Sequence, residues 1–599
     1  MYLTKVAPIS RIPRPSRQFL SYFTAKKLER GALVLVPLRK KEVKAIVFSQ
    51  TKASYRKMEI KKAEYQLKPI SKIIEKKPVL QEQQIELAKW ISDYYWASFG
   101  KVLSVFLRNS KNKEIKNIKS DQSNLKVKLK IAPLGYIPKK EIKKCLKEEK
   151  KVLILTPERE KIKFWKEKLK ELKSEKIIIG TRSSLFLPFE NLGLLILTEE
   201  GNPNYKSEME PRYNAKEVAK KLTEIWGAKL IIVSSFPSVE TYNLYARSLI
   251  TRAKNKQTPL KYQIIDMRQV KPWKPLSEKL LFSIKENTKK GGKTLLFLNR
   301  RGTATTLLCQ DCGWIQKCDN CNVPLTYHLK RQDGKMVPKM ICHYCEREYY
   351  PPKLCKKCKS WNLNTLGVGT EKIEEDLVKS FGRENVLRLD SEITKKEKEQ
   401  KEIIKKFIEK KNALLLTTSI IFKYFPIEKI PLVGIVSIDS LLSQPDFKLE
   451  EECARIIDKL MFLSKKDFIL QTFFPNSKAV SWTKNNKETF YEKALQERKK
   501  FNYPPFSSLI KLSITHKNLF KIKKEAFELK QKVEDKAAKL NIGNLEIMGP
   551  APAFIEKLKG KYQWKLILKL KIENLKLRNN LLSIVPPNWK VDVGPGKII

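Results

Sequence analysis

Four CxxC pairs crowd into one stretch of the chain: Cys309/Cys312, Cys318/Cys321, Cys342/Cys345 and Cys355/Cys358. No other feature constrains the fold as much. One CxxC turn presents two thiolates to a single ion, and zinc takes four such ligands in a tetrahedron, so four pairs make two complete sites. The spacing favours a nested arrangement. Cys318/Cys321 and Cys342/Cys345 are separated by 20 residues, which suits a ribbon-like hairpin, and the flanking pairs are then left to form an outer site. The alternative is sequential, with the first four cysteines on one ion and the last four on another. Redox pairs are a third reading, weakened because none of the pairs opens a helix after a strand. A site closed by four thiolates has no open coordination position, so two structural zinc ions are expected. His343, inside the third pair, reads as a surface or packing residue. Cys145 and Cys453 stand alone in helical patterns, where a buried or half-buried thiol is the default.

The chain around this module has 599 residues, enough for about three to five domains. Lys and Arg number 122 against 64 Asp and Glu, a formal net charge of +58. That excess points to a polyanion, with nucleic acid as the first candidate, although Lys-rich codon usage is the competing explanation. Hydrophobic residues make up 42%, which argues against a disordered polycation. No apolar run approaches the ~18 residues of a membrane span, and MYLTKVAPISRIPRP lacks the apolar core of a secretory signal. A cytoplasmic, nucleoid-associated protein without membrane contacts is expected.

The pattern along the chain divides it further. Residues 1–108 read as a β-rich domain, with strands at Gly31–Pro37 and Val43–Phe48 and a helix at Gln83–Tyr95. Residues 109–130 are polar and aperiodic and read as a linker. Strands at Lys151–Thr156, Lys176–Ile179, Leu194–Thr198 and Lys229–Val233 alternate with amphipathic stretches at Lys161–Lys173 and Asn214–Trp226. A second such series runs through Lys293–Leu298, Asn385–Leu389, Ala413–Thr417, Leu432–Ile438 and Phe468–Thr472. Alternation of this kind predicts parallel sheets covered by helices on both faces. The expected fold is α/β: two RecA-like parallel-sheet lobes (131–285 and 286–486), a β-rich N-terminal domain, a zinc-ribbon-like insertion in lobe two (309–358) and an α+β C-terminal domain (487–599).

Several blocks carry a resemblance. They are Gly180-Thr181-Arg182-Ser183-Ser184-Leu185-Phe186, Phe297-Leu298-Asn299-Arg300-Arg301-Gly302, Cys309-x2-Cys312-Gly313-Trp314, Cys342-His343-Tyr344-Cys345, Leu366-Gly367-Val368-Gly369-Thr370-Glu371-Lys372, Tyr503-Pro504-Pro505-Phe506 and Gly549-Pro550-Ala551. In order and spacing the chain resembles the bacterial primosomal protein N′ (PriA) family of replication restart helicases, as a shortened member. The resemblance implies nested zinc sites, an N-terminal domain that binds the 3′ end of a nascent strand, a core that unwinds DNA with ATP, and recruitment of primosome and single-strand-binding proteins to forked or single-stranded DNA. A monomer is expected.

The chain departs from that family where ATP is handled. A phosphate loop needs glycines, and a Lys followed by Ser or Thr at a helix N-terminus. The matching stretch reads Ala132-Pro133-Leu134-Gly135-Tyr136-Ile137-Pro138-Lys139-Lys140-Glu141, where Pro138 removes a backbone donor. The family's Asp-Glu-Glu-His is Thr198-Glu199-Glu200-Gly201 here, and no arginine pair remains in Arg455–Lys466. These losses put ATP and Mg2+ in doubt, and no catalytic or nucleotide-binding residue is expected. They favour a non-motor DNA-binding restart factor over an ATP-dependent 3′–5′ helicase with atypical motifs; a zinc-containing RNA-binding protein is a third reading. The linker also leaves no room for the family's winged helix. Candidate DNA contacts are Tyr22 near the 3′-end pocket, Tyr205, Lys206, Arg212 and Tyr213 after the acidic motif, and Lys561, Tyr562 and Trp564 in the C-terminal domain, since aromatics stack on bases and cations engage phosphates. For each aromatic, packing is the competing reading.

Overall fold

The computed structural model describes residues 1–52, 67–109, 127–172, 174–245, 250–252, 260–270, 274–299, 307–321, 323–332, 335–342, 344–365, 370–390, 394, 396–424, 428–444, 446–484, 486–571 and 574–598. Most of the 109–130 linker, Arg300-Arg301-Gly302, His343 and Leu366–Gly369 lie outside the described residues.

The N-terminal domain is a six-stranded sheet in which Tyr2–Pro8 pairs antiparallel with Leu20–Thr24 on one side and Lys41–Lys52 on the other. Its inward-facing Val34, Val36, Ala45 and Val47 are fully buried, as period-two alternation requires. Two helices, Glu82–Tyr94 and Phe99–Asn109, join it to the next domain through the carbonyls of Phe186 and Phe189, which accept from Gln84 and Gln81.

Each lobe is a parallel six-stranded sheet. In the first, Leu192–Thr198 lies between Lys151–Leu155 and Lys229–Ser234, with Val127–Ile131 beyond. The first three are near-continuous apolar runs, consistent with burial on both faces, whereas Val127–Ile131 alternates, with Lys128 exposed. Helix Ala215–Trp226 starts at Asn214, whose side chain accepts from Lys216 N, and stops at Gly227, which adopts φ +63°. In the second sheet Thr294–Leu298 lies between Ile430–Ser437 and Leu414–Thr417. Helix Glu278–Lys289 is capped by Ser277.

Two expected boundaries need correction. Val127–Ile131 is a strand of lobe one, so that lobe begins before residue 131. Lys261–Asp266 pairs with Ser464–Thr472 and belongs to lobe two, so the division falls near 260 and not at 285. A strand's sheet is decided by distant pairing, which its local sequence does not carry.

The C-terminal domain is a four-stranded antiparallel sheet (Ser508–His516, Leu545–Leu558, Lys561–Leu570, Lys590–Val593) with helix Leu519–Lys539 packed on it. Its apolar side chains Trp564, Leu566 and Val593 share one buried cluster with the N-terminal domain and lobe one. No helix among the described residues is long and apolar enough to cross a membrane.

Candidate functional site

The eight cysteines gather into two groups of four. Cys309, Cys312, Cys355 and Cys358 form one, and Cys318, Cys321, Cys342 and Cys345 the other; within each, all sulfur atoms lie within 4.8 Å of one another. The nested arrangement is therefore the one adopted. Cys309 and Cys358 sulfurs are 3.6 Å apart, Cys312 and Cys355 3.5 Å, and Cys318 and Cys345 3.6 Å. Four thiolates at ~2.3 Å from a tetrahedral zinc ion would sit ~3.8 Å apart, so both groups fit that ion.

The same local turn builds the three pairs whose following residue is described. The N–H of the residue after the second cysteine donates to the carbonyl of the first: Gly313 to Cys309, Glu346 to Cys342 and Lys359 to Cys355. That residue has φ +71°, +64° and +62° respectively. At Gly313 glycine is required twice over, because a Cβ there would fall 2.4 Å from the Phe473 carbonyl oxygen. In the inner group Cys318, Cys321 and Cys342 are buried and Cys345 half-buried, and the group continues into an apolar cluster with Tyr344, Tyr503, Leu509 and Ile567, where Tyr503 Oη donates to the Cys321 carbonyl at 3.2 Å. It therefore anchors the C-terminal domain to lobe two. The outer group is more open, and Cys358 is exposed.

The second region is the junction of the two lobes. Ala132–Pro138 follows the Val127–Ile131 strand and leads into helix Lys139–Lys147, the place a phosphate loop would occupy. Its side chains turn inward. Leu134 packs with Phe236, Leu295 and Phe297, while Tyr136 and Ile137 lie against the lobe-one core. Gly135 has φ +77°, and Phe164 closes over it. Glu199 and Glu200 sit at the end of Leu192–Thr198. Thr198 Oγ1 donates to the Leu155 carbonyl at 2.9 Å and is buried.

Glu199 is held from both lobes. Lys161 of lobe one reaches Oε1 at 2.5 Å, and Lys459 of lobe two reaches Oε2 at 2.5 Å. Burial would raise this carboxyl, but the two ammonium groups outweigh it and hold it at about 2. Lys161 also contacts Glu158 at 3.0 Å. Glu200 accepts from Ser238 N at 2.5 Å and from its hydroxyl at 3.1 Å. Arg455, across the junction, donates to the Gly201 carbonyl at 2.7 Å and pairs with Glu451. Glu451 in turn accepts from Val239 N of lobe one at 3.2 Å and from Arg498 at 2.9 Å, and Arg498 meets Glu240 at 3.2 Å. Glycine at 201 makes room for this, since a Cβ would lie 2.7 Å from the Arg455 guanidinium carbon.

None of the partners Lys161, Glu451, Lys459 or Arg498 stands out by local motif. One signal was available: Glu451, Arg455 and Lys459 recur every fourth residue in Leu449–Leu463, and all three lie on a face turned inward. Charges at that spacing ordinarily mark a solvated face.

The candidate DNA contacts are dispersed. Tyr22 is buried in the N-terminal sheet, its hydroxyl donating to the Pro37 carbonyl at 2.8 Å. Tyr205 is 1% exposed and donates to the Thr198 and Leu155 carbonyls at 2.8 and 3.0 Å. Tyr213 is buried edge-on to Phe186, and Trp564 lies in the core shared by three domains. These four rings present no face to solvent, and packing is the role the structure gives them. Lys206 is also internal, pairing with Asp592 at 2.7 Å and donating to the Val593 carbonyl at 3.0 Å, while Arg212 donates to the Val591 carbonyl at 3.4 Å. These two dock the C-terminal domain on lobe one. Lys561 is exposed, and Tyr562 is half-buried with Lys557 over its ring.

Known proteins resemble this chain. Residues 11–108 match the 3′DNA-binding domain (3′BD) family of PriA, and residues 499–595 match the primosomal protein N C-terminal domain family. The replication restart protein PriA of Borreliella burgdorferi is 31% identical over 575 residues, covering 84% of this chain and 85% of that protein. That of Helicobacter pylori strain 26695 is 27% identical over 95% of both chains. That of Bacillus subtilis is 30% identical over 67% of this chain, which spans 50% of that relative's length.

Proposed function

The chain belongs to the PriA family of replication restart proteins, and on that footing we propose that it binds forked DNA and gathers primosome partners there without working as a motor. The observation that carries the second half is the junction between the lobes. A motor of this architecture must open and close a nucleotide cleft in each cycle. Here the stretch at the phosphate-loop position is apolar and packed inward, Thr198 stands where the family's metal-holding Asp would be, and Glu199, which could otherwise polarise a water, is paired with Lys161 and Lys459. Opening the lobes would separate Lys459 from Glu199, Arg455 from the Gly201 carbonyl and Glu451 from Val239 N. Those contacts would have to be exchanged for water in every cycle, and Ala132–Pro138, with a single glycine, offers no phosphate cradle in return.

Recognition of the fork falls to the N-terminal domain, as its match to the 3′DNA-binding domain supports. Tyr22 would shape its sheet from within, and Lys561 and Tyr562 would offer a second contact. Two zinc ions would sit in the cysteine groups, where they would hold the turns of the 309–358 module and fix the C-terminal domain through Tyr503. A bacterial cytoplasmic location, close to the nucleoid, goes with this role.

The test pairs two measurements on one synthetic fork with a recessed 3′ end. Tight binding, with neither DNA-stimulated ATPase nor unwinding, is the expected result. ATP hydrolysis abolished by Glu199→Gln would overturn the non-motor reading and favour the helicase alternative. Preference for single-stranded RNA over the fork would overturn the DNA assignment.

A further inference from the structure

We infer that the outer cysteine group carries a binding platform for single-stranded DNA, formed by Trp361 and Tyr350 among Lys353, Lys356, Lys357 and Lys359. This rests on the reading of the chain as a DNA-binding protein. Trp361 is 82% exposed and Tyr350 68% exposed, and Leu354 between them is half exposed. A single exposed ring is ordinary, but three large apolar side chains exposed within residues 350–361 are a concentration that marks an interaction site. Residues 350–361 contain four lysines and no aspartate or glutamate, and the neighbouring carboxylates are engaged, Asp311 by Ser360 and Asn362 and Glu348 by Lys339 at 3.8 Å. All four lysines are exposed, and none has an ion-pair partner among the described residues.

The rings are held out on ordered backbone. Trp361 O accepts from Leu363 N at 2.7 Å, and the next carbonyl, of Asn362, accepts from Gln310 N at 3.0 Å. Asn362 also donates through its side chain to Asp311 at 3.3 Å, and Ser360 Oγ donates to the same carboxylate. Tyr350 directly follows the Glu348–Tyr349 strand, and Lys339 Nζ stands 3.8 Å from its ring centroid. The backbone that carries both rings is held in place, so their exposed faces stand where a base can stack, and flanking ammonium groups can follow the phosphates. Duplex DNA hides its base faces, whereas a single strand offers bare base faces and phosphates together, so on the DNA reading of the chain single-stranded DNA is the occupant that uses both features.

The experiment uses the full zinc-loaded chain and fluorescence anisotropy with a labelled oligothymidylate. Trp361→Ala should weaken binding about tenfold, by the scale of one stacked base, and Trp361→Phe should recover most of it. Changing all four lysines to Gln should flatten the dependence of log affinity on log salt by about 3, at about 0.7 per phosphate contact. Unchanged zinc content and near-ultraviolet dichroism show that the module still folds. Wild-type affinity in Trp361→Ala would overturn the platform, as would an effect confined to an acidic protein partner. Either variant should still bind a recessed 3′ end on duplex DNA. If the wild-type chain binds neither probe, the proposed function fails with the platform; if it binds only the recessed end, the platform alone fails.

Discussion

Lys459 of the second lobe places its ammonium 2.5 Å from the carboxylate of Glu199 in the first. Lys161 reaches the other oxygen of the same carboxylate, so this acidic side chain is the centre of a triad drawn from both lobes. Around it Arg455, Glu451 and Arg498 extend the same contact across the lobe junction.

Removing one member should expose that. Lys459→Met leaves Glu199 with Lys161 alone, and it is expected to lower the stability of the lobes by about 3 kcal/mol. Glu199→Gln with Lys459→Met should cost clearly less than the two single changes added together. Denaturant unfolding of the four proteins of this cycle gives the coupling directly; additive effects would show that the pair contributes nothing across the junction.

Acid should loosen the same place. The Glu199 carboxyl sits at about 2 in the folded chain against an ordinary value of 4.5. A depressed folded value means the stabilisation is present above about pH 4.5 and is lost as pH falls from there toward 2, up to about 3 kcal/mol. Glu199→Gln should flatten that limb of the stability profile. A Glu199→Gln protein with the same acid dependence as wild type would assign the effect to other carboxylates, Glu240 first, which Arg498 also holds at about 2 despite burial.

The glycine after the acidic pair is predicted to be structural. Gly201→His restores the residue of the family motif, but it sets a Cβ against the Arg455 guanidinium. A loss of about 1–3 kcal/mol is expected, as for other overpacking changes. Gly201→Ala should behave similarly, whereas an unchanged melting temperature in both would show that Arg455 moves aside freely.

The two cysteine groups should fail differently. Cys342→Ser with Cys345→Ser opens the inner site, and hydrogen exchange should then rise in Tyr503–Leu512 as well as in the module, because Tyr503 rests on Cys321. Cys358→Ser opens the outer site and should leave exchange in Tyr503–Leu512 unchanged. Chelation should reproduce both patterns together.

Affinity for a fork should fall steeply with salt if the net charge serves DNA. A weak dependence between low and physiological salt would mean that most of the lysines are compositional.

Much was legible from local pattern. The CxxC turns and their spacing carried the nested metal groups, since ligand identity and short-range turn geometry reside in a few adjacent residues. Apolar runs of strand length carried both sheets, and the absence of a glycine-rich loop with Lys-Ser/Thr was visible as text. The aromatic and basic cluster after Glu200 was legible as composition but not as exposure: Tyr205 and Tyr213 point inward and Lys206 is consumed by Asp592. Only the tertiary structure decided that, because burial depends on what a distant domain lays over a segment. It likewise decided that Lys261–Asp266 belongs to the second lobe, and that Glu451, Arg455 and Lys459, three charges that could equally have faced water, close the junction between the lobes.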